Sequence, residues 1–556
     1  MKPIIYQLFP RLFTNSCDHC VPNGTIKQNS SGKMNDITLP VLKKLKDLGA
    51  THVWFTGVLR HATKTKYKDI PDCNPYIVKG NAGSPYAITD YYDIDPDIAI
   101  NTKKRISEFE NLVARSHEAG LKVIIDFVPN HVARQYHSIA KLQGIEDLGE
   151  NDNKNLAFSP SNNFYYMPGQ QFAPGIDLGS GDDFYYEKPA MATGNDCFHP
   201  YPSANDWYET VKLNYGVDYA IGEKHFSPIP STWHKMLDIL LFWASKGIDG
   251  FRCDMAHMVP VEFWNWVIPQ VKEHHPYIIF IAELYDTTIY RDYIYNGHFD
   301  YLYDKVSLYD TLRAITCGNA SAASITGCWQ AVEGIGDHML NFLENHDEQR
   351  IASPQFAGDP FKALPALVVS ATISRAPFMI YQGQELGERA LDAEGFSGND
   401  GRTTIFDYWS IPTLRRWYNH GKCDTSKLTK EERQLRRFYK KVLRLCNSEK
   451  AIAQGEFYDL MYANRDTMNC DKVYAYYRHY GNECLLIIAN FGDQDESVNL
   501  HTPLHAFYTM LLKPGTYNAC ELLTASEMTI LIDPNTPINL TIPRRNAMII
   551  KLIKIS

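Results

Sequence analysis

Apolar runs of strand length alternate with stretches in which apolar residues recur every three or four positions, and the alternation covers most of the chain. Pro3 to Pro10 (PIIYQLFP) reads as a first strand. Leu39 to Ala50 has helical spacing and closes on Gly49, and Thr51 to Gly57 (THVWFTG) is again strand-like. Ser107 to Gly120 predicts a helix with a serine cap and a terminal glycine. Leu121 to His131 (LKVIIDFVPNH) predicts a third strand and the loop leaving it. A long irregular segment, roughly Val132 to Asp218, then breaks the rhythm.

After it the alternation resumes. A helix from Thr232 to Gly247 leads into the strand DGFRCD (Asp249 to Asp254), and a helix from Val261 leads into Tyr277 to Leu284. Phe299 to Asp304, His338 to Asp347 and Pro377 to Glu385 read as sixth, seventh and eighth strands; KALPALVVSATISRA is a helix between the last two, and Glu431 to Lys450 a final one. Eight strands with helical pattern between them predict an α/β fold, a (β/α)8 TIM barrel. A doubly wound open sheet is the alternative, weakened because neither G-x-G-x-x-G nor a Walker loop follows the first strand. From about Glu456 the pattern becomes β-rich (KVYAYYRHY, CLLIIANF, RNAMIIKLIKI), predicting a C-terminal antiparallel β-sandwich domain. The predicted organisation is therefore barrel in 1–131, an inserted domain in 132–218, barrel again in 219–455 and the β domain in 456–556.

Composition narrows the classes. A formal net charge of −9 without a long basic run argues against a nucleic-acid partner. No apolar run approaches the ~20 residues needed to cross a bilayer. The opening MKPIIYQLFPRLF is interrupted by Pro3 and Pro10 and has no small-residue cleavage site, so a cytoplasmic protein with no membrane partner is expected. Its 12 cysteines then read as reduced and mostly buried. CDHC (Cys17, Cys20) has no second pair at zinc spacing and reads as loop packing rather than a metal site.

The strand ends carry the chemistry. In GFRCD, Arg252 and Asp254 stand two residues apart and so share a strand face. In a barrel, chemistry sits at the C-terminal mouth. Asp126, Asn130 and His131 follow strand three; Arg252, Asp254 and His257 belong to strand four, Glu283 to strand five, and His346 and Asp347 to strand seven. A lone Asp at a strand end is ordinarily a cap or turn residue. Several acidic and imidazole groups on one rim are not explained that way, because so much charge in one concavity opposes folding unless it is used. Paired carboxylates in a cleft suit glycoside hydrolysis, one attacking the anomeric carbon and one protonating the leaving oxygen. Asp254 and Glu283, on adjacent strands, suit the close spacing of about 5 Å that retains configuration. Arg252 is expected to keep Asp254 ionised. The apolar approach IIFIA gives Glu283 a dry surrounding of the kind a general acid uses.

DFVPNH (Asp126 to His131), GFRCDMAH (Gly250 to His257), IAEL (Ile281 to Leu284) and ENHDEQR (Glu344 to Arg350) resemble, in order, the four signature segments of the α-amylase family, glycoside hydrolase family 13. GSPYAITDYYDIDP and YQGQELGE resemble two further family segments, and with the β domain the resemblance covers nearly the whole chain. It implies Asp254 as nucleophile, Glu283 as acid/base and Asp347 as the third carboxylate, which grips sugar hydroxyls. It further implies His131 and His346 at the −1 sugar, Arg252 orienting the nucleophile, Tyr86 stacking on that sugar and His257 at +1. Asp126 would support the −1 pocket, and Asp400 and Arg402 (GNDGR) would lie toward the non-reducing side. The irregular segment resembles the family's inserted B domain; its aromatics are read equally as a small core or as sugar platforms.

The implied substrate is an α-glucan, and no cofactor is needed for the chemistry. Many relatives bind a structural calcium between barrel and insert through the Asn after strand three and an Asp in a PDLN-like segment. Asn130 is present, but the matching VKLN places Lys212 where the acid would stand, so Lys212 is expected to replace the ion and no metal ligands are assigned. The expected activity is retaining hydrolysis of α-1,4 bonds in maltooligosaccharides, starch or glycogen. A 4-α-glucanotransferase with the same triad is the alternative, and a non-catalytic binding or transporter-subunit barrel a remoter one. Oligomeric state is left open.

Overall fold

The structure is a computed structural model describing residues 1–554. Eight parallel strands close into a barrel: Ile4–Leu8, His52–Phe55, Lys122–Phe127, Gly250–Cys253, Ile279–Ala282, Tyr301–Tyr303, Met339–Phe342 and Phe378–Tyr381. In chain order they are barrel strands one to eight, and strand one closes the ring by pairing with strand eight through Ile4–Phe378 and with strand two through Ile5–His52. The observed strands are shorter than the apolar runs, because pairing stops where the polar rim begins.

The pleat sorts each strand into two faces. Ile5, Trp54, Ile124, Ile281, Leu340, Phe342 and Met379 fill the interior with Tyr303 and Tyr309. Phe251, Cys253 and Phe280 join the larger core under the helices. Leu39–Leu48, Ser231–Ser245, Val261–His274, Leu364–Thr372 and Lys430–Ser448 are among the helices of that outer layer. Ser107 does not cap its helix. The helix is Arg105–Glu118, and a 3-10 turn capped by Asn101 precedes it and carries the helical start to Arg105; the Ser107 hydroxyl instead donates to the Lys104 carbonyl.

Between strands three and four the chain makes three small antiparallel pairs: His131–Ala133 with Thr210–Lys212, Tyr166–Met167 with Ala190–Met191, and Val217–Asp218 with Glu223–Lys224. Its aromatics divide residue by residue. Tyr165, Phe172, Tyr185 and Tyr208 form a small core, whereas Tyr186, Phe198, Tyr201 and Tyr219 are exposed. The turn before Tyr86 needs glycine: Gly83 has φ +77°, and a Cβ there would lie 1.6 Å from the Ala62 carbonyl oxygen.

From Glu456 the chain forms a six-stranded antiparallel sheet, with a two-stranded sheet of Glu496–Leu500 and Ile538–Ile542 sharing its core. Arg478, 2 % exposed, ties this domain to the barrel. Its guanidinium donates to the carbonyls of Ile373, Ala451, Ile452 and Gly455. Among the described residues, no helix is long and apolar enough to cross a membrane.

Candidate active site

Strands three, four and five bring their inward-facing polar residues together by register. Arg252 pairs with Asp126 on one side and Ile281 on the other. One step beyond the strands, the Asp254 N–H donates to the Phe127 carbonyl and the Glu283 N–H to the Cys253 carbonyl. Alternation from Arg252 and Ile281 then points Asp254 and Glu283 into the same mouth.

Arg252 is the centre of the floor and fully buried. Nη1 donates to Asp254 Oδ1 at 2.8 Å, and Nη2 lies 2.7 Å from Glu283 Oε2. Asp126 Oδ1 is 3.5 Å from Nη1, and Nε donates to the Tyr303 hydroxyl at 3.2 Å. The guanidinium carbon sits 5.3 Å from the ring centres of both Trp54 and Tyr86. One cation thus faces three carboxylates inside an aromatic box, where charge–charge interactions are poorly screened.

Burial wins over that cation at Asp254. Desolvation first and the Glu283 charge second push its carboxyl well above the ordinary value, and Arg252 offsets only part of the rise. Arg252, expected to keep Asp254 ionised, does act in that direction, but burial and the Glu283 charge act against it. Asp126 is pushed up to about 6 by burial, with Arg252 opposing. Asp347 is open to the cleft over 41 % of its side chain. It is also raised, by desolvation and then by Glu283.

The histidines go the other way. Desolvation, with Arg252 adding, holds His346 well below the usual imidazole value, so it is neutral. Gln7 Nε2 lies 2.8 Å from His346 Nδ1; with the amide donating there, the ring carries its proton on Nε2, 3.0 Å from Asp347 Oδ2. The same Nε2 contacts the Tyr86 hydroxyl at 2.5 Å, and the two rings stack with centres 5.2 Å apart. His131, lowered to about 3 by burial and by Lys212, packs against Trp207 with ring centres 5.2 Å apart.

Tyr86, His131, Asp254, Glu283 and Asp347 line a cleft of about 340 Å³ together with Trp207 and Tyr285. A neighbouring recess of about 470 Å³ is lined by His257, Trp207, Tyr219, Asn195, Asp196 and Met258. Asp400 and Arg402 stand apart from both. They pair with one another at 3.7 Å on an exposed loop, and the Arg402 charge acts to lower Asp347.

At the junction of insert and barrel, Lys212 Nζ lies 2.5 Å from Asn130 Oδ1, 2.6 Å from Asp196 Oδ1 and 3.2 Å from the Met258 carbonyl. An ammonium surrounded by oxygens leaves no room for a cation, so these residues do not fit a calcium ion. Among the described residues, no cluster of three or more His, Cys, Asp or Glu is arranged to hold a metal.

Several contributors were not legible beforehand. Trp54, whose Nε1 donates to Asp126 Oδ2 at 3.1 Å, and Tyr303 look like core residues in sequence. Tyr285, whose hydroxyl donates to Glu283 Oε1 at 2.6 Å, follows the fifth strand by only three residues, and nothing in its spacing signals that contact. The inward alternation of YLYD was the one available clue to Tyr303.

The alpha-amylase catalytic-domain family matches residues 7–455. "Alpha-amylase 3" of Dictyoglomus thermophilum is 23% identical over 75% of this chain and 76% of its own length. A cyclomaltodextrinase of Thermoanaerobacter pseudethanolicus is 22% identical over 90% of this chain and 71% of its own. Among solved structures, the noncanonic maltogenic alpha-amylase AmyB of Thermotoga neapolitana superposes with a TM-score of 0.64 at 19% identity, covering 100% of this chain and 99% of that one. With a family match across the barrel and its mouth, the chain belongs to the α-amylase family and is a glycoside hydrolase.

Proposed function

We propose that the chain is a retaining α-glucan hydrolase that cleaves α-1,4-glucosidic bonds in maltooligosaccharides, starch or glycogen through a covalent glycosyl-enzyme. The observation that carries this reading is the shared anchoring of Asp254 and Glu283 on Arg252, with contacts of 2.8 and 2.7 Å. That anchoring holds the two carboxyl groups close together, as the retaining mechanism uses them.

In the first step an Asp254 oxygen attacks the anomeric carbon while Glu283 protonates the departing glycosidic oxygen. In the second, the Glu283 carboxylate takes a proton from water as the water oxygen displaces Asp254. Asp347, with the His346 Nε2–H beside it, is placed to grip ring hydroxyls as the oxocarbenium-like state forms. The Tyr86 face covers the apolar side of that sugar.

Asp254→Asn is expected to lower the rate on maltotriose by roughly 10³-fold or more. Near-normal turnover in that variant would refute the nucleophile assignment. The aromatic recess beside the cleft, with Trp207 and Tyr219, offers an acceptor sugar a seat and favours a second reading, 4-α-glucan transfer. Products from maltooligosaccharides, cyclodextrins, pullulan, glycogen and starch, resolved by length, separate the two. Products longer than the substrate mean transfer, and only shorter ones mean hydrolysis.

A further inference from the structure

Glu283 has two oxygens with two lone pairs each. Oε2 is held by the Met255 N–H at 2.8 Å and faces Arg252 Nη2 at 2.7 Å. A proton on Oε2 would point at a guanidinium. Oε1 accepts from the Tyr285 hydroxyl at 2.6 Å. That leaves one lone pair, the second on Oε1, for a transferable proton, and both Glu283 and Tyr285 line the cleft.

We infer that Tyr285 is a positioning residue for the acid/base: by occupying one lone pair of Oε1, it confines the proton of Glu283 to the other and so aims it at the glycosidic oxygen. This rests on the reading of Glu283 given above and deepens it. The hydroxyl does not give up its own proton. Its pKa lies well above the ordinary phenol value, through desolvation and then the charge of Glu283, so it remains a donor at working pH.

The contact changes strength along the reaction. While Glu283 is protonated, the Tyr285 bond is an ordinary one. As the proton passes to the leaving oxygen and the C1–O bond breaks, Oε1 becomes anionic and the same bond becomes charge-assisted, roughly doubling in strength. An interaction that strengthens toward the transition state raises the rate. In the second step it holds Oε1 aimed at the incoming water until the proton returns.

Other groups also bear on Glu283, and the test must leave them intact. Asp126 acts from strand three and Asp254 with Arg252 from strand four. His257 follows strand four, while Tyr303 and Asp347 lie at the ends of strands six and seven.

Tyr285→Phe keeps the ring and removes only the hydroxyl. A hydrogen bond to the carboxylate favours the ionised acid, so without it the acid holds its proton to higher pH. The alkaline limb of kcat/KM on maltotriose is expected to move up by about one pH unit. At neutral pH kcat is expected to fall about tenfold. The first-step deficit should vanish on a maltosyl fluoride, whose leaving group departs without protonation. Replacing Tyr285 by 2,3-difluorotyrosine, a stronger donor, should move the limb the opposite way, and this reads the contact even if the phenylalanine variant is unstable. An active wild type whose limb stays fixed in a folded Tyr285→Phe, or in the fluorinated protein, overturns the inference alone. A wild type that cleaves no α-glucan overturns the functional reading and the inference with it.

Discussion

At the residue scale, the cleft floor is a contest between burial and a single guanidinium. Asp126 shows the cost most plainly: it is 4 % exposed and its carboxyl is raised to about 6. A folded-state value above the unfolded one means stability that is full below about pH 4 and is lost as pH rises through about 6. Asp126→Asn removes this loss. The wild-type stability, measured by denaturant titration relative to that variant, should therefore decline between pH 4 and 6 by on the order of 3 kcal/mol and stay flat above. A flat difference across that window would show that Asp126 is not under strain. The charged members of the site were legible because several carboxylates and imidazoles fall on one rim, which caps and turns, the ordinary use of a single strand-end Asp, do not explain. Trp54, Tyr285 and Tyr303 were not, because an aromatic at a strand end is indistinguishable from core until its polar tip is seen to touch a charge.

At the element scale, the pairing of His131–Ala133 with Thr210–Lys212 fastens the insert to the barrel. It places Lys212 against Asn130 and Asp196, and burial lowers the Lys212 pKa while Asp196 opposes. We propose that this ammonium holds insert and barrel together in place of a metal ion. Stripping with a chelator and refilling with calcium should leave both the melting temperature and activity unchanged. A stoichiometric ion at Asn130 with a gain in melting temperature would sink the proposal. The substitution was visible in VKLN, since a lysine cannot ligate a cation. Element ends were less visible: the apolar runs of the strands extend past their pairing, and Asn101 moves a helix start that Ser107 suggested.

At the scale of the whole molecule, the sheet beginning at Glu456 packs against the barrel's outer helix Leu364–Thr372 and the segment that follows it. Arg478 is buried there without a carboxylate partner; its four acceptors are backbone carbonyls near helix ends. Helix C-termini suit a cation, and the burial still lowers the guanidinium to about 10. Arg478→Met strands those carbonyls and should cost on the order of 3 kcal/mol, read as a drop in melting temperature, with kcat per folded molecule unchanged. A variant with normal melting would mean that water replaces the guanidinium. The eight-strand count and the switch to β pattern made this architecture legible, whereas the arginine at the seam reads in sequence as one more surface charge.

The crowding of Asp126, Asp254, Glu283 and Asp347 around one guanidinium leaves an electrical deficit at the floor of the cleft. With a single guanidinium among these carboxyl groups, the site is a trap for positive charge. It should discriminate among mimics of the sugar by sign: a protonated ring-nitrogen analogue drawn in, a ring-oxidised carboxylate turned away. Inhibition by the amine, measured against pH, should weaken once the amine itself loses its proton. Equal inhibition by the two mimics would mean that the field is neutralised by something other than a substrate.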